Sequence, residues 1–203
     1  MTGRTLVAGV GNVFLRDDAF GVEVVRLLAE RPLPPHVQIR DYGIRGVHLV
    51  YELLNGYDLF VLVDAAPRGH AAGTVTVLEA ELPDPDDPEA AHQPIIDAHS
   101  LTPDAIFGLL SALGGCPGRS LVVACEPADV SAGMGLSDPV RDALPHAVRA
   151  VEEILAQDES TAELNGEGGG RDAEQADQGD RDRRGAGAGD RFAAGHQAVP
   201  RTS

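Results

Sequence analysis

The chain has 203 residues, 43% of them hydrophobic and 4% aromatic, with 24 glycines, 14 prolines and a net charge of −16. That length holds one large domain, or one domain with an appendage. Thirty-two acidic residues against sixteen basic ones, all arginine, argue against a nucleic-acid backbone or an anionic membrane surface as partner. No apolar run approaches the ~20 residues needed to cross a bilayer. Met1 to Arg4 leads into a short strand-like run without the h-region of a secretory signal. Cys116 and Cys125 make neither a disulfide framework nor a CxxC pair. A cytoplasmic monomer is expected.

The apolar pattern alternates between two periods. Thr5–Val10 is a buried strand ending in glycines, and Asp18 to Glu30 reads as a helix with Phe20, Val24, Leu27 and Leu28 near one face. Val37–Asp41 alternates like a strand, Val47–Leu54 is a short helix, and Leu59–Asp64 is an unbroken apolar strand up to its aspartate. Gly73–Leu78 follows too soon for a helical crossover, so that strand is expected to run antiparallel. Residues 80–98 hold four prolines and many acids and read as a loop. Thr102-Pro103 opens a helix to about Leu113, Ser120–Cys125 is another core strand, and Ser137-Asp138-Pro139 opens the last helix. Pro145 should kink that helix or end it early.

The composition changes at about residue 157. Residues 158–203 carry ten acidic groups and six arginines, with Leu164, Phe192 and Val199 their only apolar side chains larger than alanine. Such a segment cannot bury enough apolar surface to offset its chain entropy, so 157–203 is expected to be a disordered tail. Residues 1–156 are expected to form a three-layer α/β/α sandwich around a mostly parallel sheet.

Candidate chemistry gathers at the carboxyl ends of strands. Gly9-Val10-Gly11 suggests a dinucleotide fingerprint, but its third glycine would fall on Phe14, where a ring obstructs the pyrophosphate approach. Asp17 and Asp18 stand at a helix start, where they either complement the dipole and cap free N–H groups or serve a site. Asp64 ends the apolar strand at the crevice edge where open α/β sheets place ligands, or else caps a turn. His99 lies just before a helix. Converging from three connections, a carboxylate of the Asp17-Asp18 pair, Asp64 and His99 would offer a divalent ion three ligands and leave positions open. No serine stands in a nucleophile elbow and there is no H-E-x-x-H. Cys125 reads as packed, and Glu52 and Glu126 are within conceivable reach but are not assigned.

The order of motifs resembles the hydrogenase maturation endopeptidases, which trim the C-terminal extension from the large subunit of nickel–iron hydrogenases. The resemblance runs over residues 4–156: Gly9-Val10-Gly11-Asn12, Asp17-Asp18-Ala19-Phe20-Gly21-Val22, Asp41-Tyr42-Gly43-Ile44-Arg45-Gly46, Val63-Asp64-Ala65, the turn before Gly73-Thr74-Val75, and His99 before a helix. It implies Asp18, Asp64 and His99 as nickel ligands, with nickel delivered on the precursor and no organic cofactor. It implies a role in cleavage or substrate fit for Asp41, Gly43 and Gly46. Ile44 and Arg45 stand where the family more commonly has small or hydroxyl residues. An incomplete three-ligand site would test whether the client's nickel is in place before cutting. For hydrolysis, a metal-polarised carbonyl or metal-bound water and an aspartate base such as Asp41 are both open. The competing readings are a non-proteolytic metal-binding assembly factor and an α/β hydrolase acting on a small molecule.

Overall fold

The computed structural model describes residues 3–80, 103–115 and 117–167. Among these residues, five strands form one sheet: β1 (Thr5–Val10), β2 (Val37–Gly43), β3 (Leu59–Ala65), β4 (Val75–Glu79) and β5 (Arg119–Cys125), in the spatial order β2-β1-β3-β5-β4. β1 pairs in parallel with β2 and β3, and β3 with β5, while β4 runs antiparallel along β5 from Val75↔Cys125 to Glu79↔Leu121. The quick return after β3 allows only that direction for β4, as the connection length predicts.

Among the described residues, four α-helices cover the two faces: α1 (Phe20–Ala29), α2 (Gly46–Leu53), α3 (Pro103–Ala112) and α4 (Asp138–Glu167). The period of two along each strand sorts the core. Val7, Val61, Val63, Val123 and Cys125 pack against Phe20, Val24 and Leu28 of α1 and Val140, Ala147, Val148 and Val151 of α4. Leu6, Ala8, Phe60, Leu62 and Val122 face the other way, onto Leu49, Val50 and Leu53 of α2 and Ile106, Phe107 and Leu110 of α3. Phe60 and Phe107 meet edge to face with centroids 5.9 Å apart, a favoured aromatic geometry. The result is the expected three-layer sandwich.

Three boundaries differ from the sequence reading. The first helix does not start at Asp18: a 3-10 turn spans Arg16–Ala19, and α1 begins at Phe20. Pro145 lies inside α4 without ending it. It and Arg141, whose carbonyl its missing N–H would have served, are both exposed, so water can take that bond. The same helix continues to Glu167, past the composition change at 157. Residues 168–203 and most of the 80–98 loop lie outside the described residues.

β1 is the pivot of the topology. The chain leaves it toward β2 on one side, and leaves β3 toward the other. The carboxyl ends of β1 and β3 therefore flank the switch point where open sheets hold their ligands.

Candidate active site

The first connection is fixed by close backbone approach. A Cβ on Gly9 would strike the carbonyl of Gly21, and one on Gly21 would strike the carbonyls of Val63 and Val10, so these glycines let α1 lie directly on the sheet. Gly11 has φ +132°, and a Cβ there would fall on the carbonyl of Asp18. Only glycine fits both demands. Gly11 N–H donates to Gly43 O (3.0 Å), joining the connection after β1 to the one after β2.

The adjacent aspartates then part company. Asp17 is fully buried. Its Oδ1 accepts from Ser137 N–H (2.6 Å) and its Oδ2 from Ala128 N–H (2.8 Å), Asp129 N–H (2.9 Å) and Ser137 Oγ (2.8 Å). Burial opposes its ionisation, but these donors from Ser137, Asp129 and Ala128 outweigh it and hold the carboxyl below its usual range. Asp18, one residue on, is half-buried, and its Oδ2 accepts from Asn12 N–H at 2.6 Å. Arg16 makes the separation possible by standing at φ +50°, alone among the described non-glycine residues in the left-handed region.

Asp64 is the penultimate residue of β3, paired with Ala124, and is buried. Burial first, and the charge of Asp18 second, push its carboxyl up to about 8 despite a hydrogen bond from Ala65 N–H. Asp18 and Asp64 are thus within electrostatic reach across the switch point. A divalent cation would relieve both the desolvation and the repulsion, so this oxygen-donor pair fits a metal. His99 lies outside the described residues, and among the described residues no three His, Cys, Asp or Glu groups converge on one point.

Asp41 and Gly43 adjoin this edge from β2. The register slips between Gly9↔Asp41 and Val10↔Gly43, leaving Tyr42 as the extra residue of a bulge. Gly43 has φ +51°, and the Asp41 Oδ1 atom lies 3.6 Å from where its Cβ would be. Asp41 is exposed. Its carbonyl accepts from Arg45 Nη2 (2.8 Å), so Arg45, in the stretch where the family commonly has small residues, folds back onto β2. Gly46 is buried at the start of α2.

A further carboxylate, within conceivable reach by sequence but not assigned a role there, is Glu126, directly after β5. It accepts from the backbone N–H groups of Arg68 (2.7 Å), His70 (3.2 Å) and Gly69 (3.3 Å). The Arg68 bond leads in holding its carboxyl low, against a smaller effect of burial. It shapes the chain that follows Asp64. The available signal was an acid placed straight after a fully buried strand end. Cys125 is buried, its thiol pushed up to about 12 by burial and then by Asp17 and Glu126, which suits packing and not nucleophilic attack.

Four large apolar side chains ring the same edge in the open: Phe14 (64% exposed), Ile44 (65%), Val130 (51%) and Met134 (73%). Gly133 N–H donates to Phe14 O (2.8 Å) and Arg16 N–H to Gly133 O (3.1 Å), which sets Phe14 beside Met134. Phe14, where a dinucleotide site would need glycine, points out to solvent.

Comparison with known proteins accords with this arrangement. The hydrogenase maturation protease family model matches residues 22–154, well over half of the chain. The chain is 30% identical over 155 residues to the Hydrogenase 2 maturation protease of Escherichia coli, covering 75% of this chain and 89% of that one. It is 31% identical over 162 residues to the hydrogenase expression/formation protein HupM of Azotobacter chroococcum, covering 77% and 75%. Among solved structures, the hydrogenase maturating endopeptidase HybD from E. coli superposes with a TM-score of 0.62 at 30% identity, over 76% of this chain and 93% of that one. A hydrogenase 2 maturation peptidase from a Thaumarchaeota archaeon gives 0.57 at 28% identity, over 75% and 97%. The order β2-β1-β3-β5-β4, the two-carboxylate switch point and these matches lead to one conclusion: the chain belongs to the hydrogenase maturation protease family, and is a peptidase.

Proposed function

We propose that this endopeptidase removes a C-terminal extension from a nickel–iron hydrogenase large-subunit precursor, and that it recognises the precursor by the nickel already held there. The observation that carries the reading is the pairing of buried Asp64 with half-buried Asp18 at the switch point, where burial and mutual repulsion keep a proton on Asp64 until a cation replaces it. Nickel is part of the substrate in this scheme. Asp18, Asp64 and His99 are its three ligands from this chain. His99 stands four residues ahead of α3. That helix runs antiparallel to the strand it feeds, with Gly118 N–H bonded to Tyr57 O (2.9 Å) at the strand's start, so its first turn is on the carboxyl side of the sheet. Oxygen and imidazole ligands do not select nickel by affinity alone. Three of them bind a free ion weakly and complete the coordination of one already seated in a client.

Hydrolysis then requires a base for the attacking water. Asp41 is the assignment: it is exposed on the bulged end of β2, and its side chain has no hydrogen-bond partner among the described residues. Half-buried Gly43 leaves room for substrate backbone beside it, and buried Gly46 contributes to substrate fit only by shaping the start of α2. The exposed ring of Phe14, Ile44, Val130 and Met134 favours a protein-sized substrate over a small molecule, which a concave pocket would enclose. A cytoplasmic setting and a monomeric enzyme belong to the same proposal. The described residues include no helix long and apolar enough to cross a membrane.

The test is the intact mass of a nickel-loaded large-subunit precursor before and after incubation, with the nickel-free precursor alongside. Loss of one C-terminal peptide from the loaded sample only is the expected result, abolished by His99→Ala with the fold intact by circular dichroism. Cleavage of both samples would keep the peptidase and refute nickel recognition. Normal trimming by His99→Ala would remove His99 from the site.

A further inference from the structure

We infer that Asp17 is a positioning residue: its buried carboxylate locks the turn at Arg16–Ala19 so that Asp18 is held against the Asn12 N–H and directed across the switch point at Asp64. The functional weight of this inference rests on the proposed role of Asp18.

The geometry is over-determined in a way that a simple helix cap is not. Asp17 takes nothing from its own helix. All four of its donors come from residues 128–137, more than a hundred positions away, and none exceeds 2.9 Å. Hydrogen bonds to a carboxylate are about twice as strong as neutral ones. The opposite strand of contacts reinforces them, with Asp17 N–H to Asp129 O (3.1 Å), Arg16 N–H to Gly133 O (3.1 Å) and the Arg16 Nε–Asp129 Oδ2 ion pair (3.2 Å). Held against this frame is a strained residue, Arg16 at φ +50°. A non-glycine residue stays in that region only when its surroundings enforce it. Remove the enforcement and Arg16 relaxes toward negative φ, rotating the next two residues. Asp18 leaves Asn12 N–H first, because that 2.6 Å bond is its only hydrogen bond to a side-chain oxygen among the described residues. Asp17 thus acts on the site through its neighbour and touches neither client nor metal.

The Asn12 amide reports this without metal or client. Amide exchange by NMR is measured on the full, metal-free chain for wild type, Asp17→Asn and Val151→Ala, the last a core change in α4 chosen to lower the unfolding midpoint to a similar degree. In Asp17→Asn, exchange at Asn12 is expected to rise at least tenfold beyond that in Val151→Ala, and processing of the nickel-loaded precursor is expected to fall at least tenfold. Exchange at Asn12 no faster than in Val151→Ala would overturn the inference. Should Asp17→Asn fail to fold, Ser137→Ala removes one of the four donors, and the same comparison with Val151→Ala decides in the same sense. Asp18→Asn separates the two levels. If it frees Asn12 but leaves processing normal, the nickel-facing role of Asp18 fails while the positioning by Asp17 stands.

Discussion

Replacing Asp64 by asparagine is expected to change how stability depends on pH, and to do so by an amount the structure sets. The native carboxyl is pushed up to about 8 by burial and then by Asp18, from the 3.8 ordinary for an aspartate. Between those two values the folded chain keeps a proton that the unfolded chain releases. Native protein therefore binds more protons, and stability falls as pH rises through the window and levels off above about 8. At 1.36 kcal/mol per unit, the fall between pH 5 and pH 8 is about 4 kcal/mol at full development. An amide of the same shape cannot titrate and removes that slope. Urea unfolding of the chelator-treated protein at several pH values, wild type against Asp64→Asn, isolates the contribution because other groups cancel in the difference. The variant should gain about 4 kcal/mol on wild type between pH 5 and pH 8, or roughly 10 °C in midpoint for a domain of this size. Asp17 does not obscure the result, since its lowered carboxyl titrates below the window. Parallel curves for the two proteins would refute the account of Asp64 as a buried, proton-retaining acid. The variant is also expected to lose nickel-dependent processing.

Other perturbations follow from the backbone contacts. Gly11→Ala forces a Cβ onto the Asp18 carbonyl at φ +132°, and should cost about 3 kcal/mol or more by urea midpoint; a loss under about 1 kcal/mol would contradict the close approach. Glu126→Gln exchanges a two-oxygen acceptor for an amide, and should speed exchange of the Arg68, Gly69 and His70 amides while leaving those of β1 unchanged. Equal protection of all three would show that the carboxylate does not order that turn. Deleting residues 168–203 should leave both melting temperature and processing close to wild type, since Leu155 is the last buried side chain of α4 among the described residues. A drop of several degrees would show that the segment supports the folded unit.

The strands were legible in the sequence because β1, β3 and β5 are covered on both faces and so read as unbroken apolar runs. The direction of β4 followed from chain length alone, and Asp64 stood out because a lone acid after five apolar residues marks a strand end. The Asp17-Asp18 pair was another matter. Their neighbours in sequence offer the same surroundings to both, and the donors that distinguish them, Ala128, Asp129 and Ser137, become neighbours only in the folded chain. Glu126 stayed without a role for the same reason. The course of α4 past 157 had no apolar stripe to announce it: the helix keeps going on backbone hydrogen bonds along a polar stretch, where composition alone suggests loop.

The turn at Arg16 has one more consequence, and it concerns chain length. Asp17 and Asp18 face opposite ways because the count of residues from Gly11 to Phe20 brings one carboxylate under the 128–137 segment and the next over Asn12. Surface connections ordinarily tolerate insertions. Here a single added or missing residue would hand Asp17's buried place to a neighbour and turn a carboxylate meant for the crevice into the interior, or leave the interior with none. The stretch is an outer loop by position, yet it is metered like a strand.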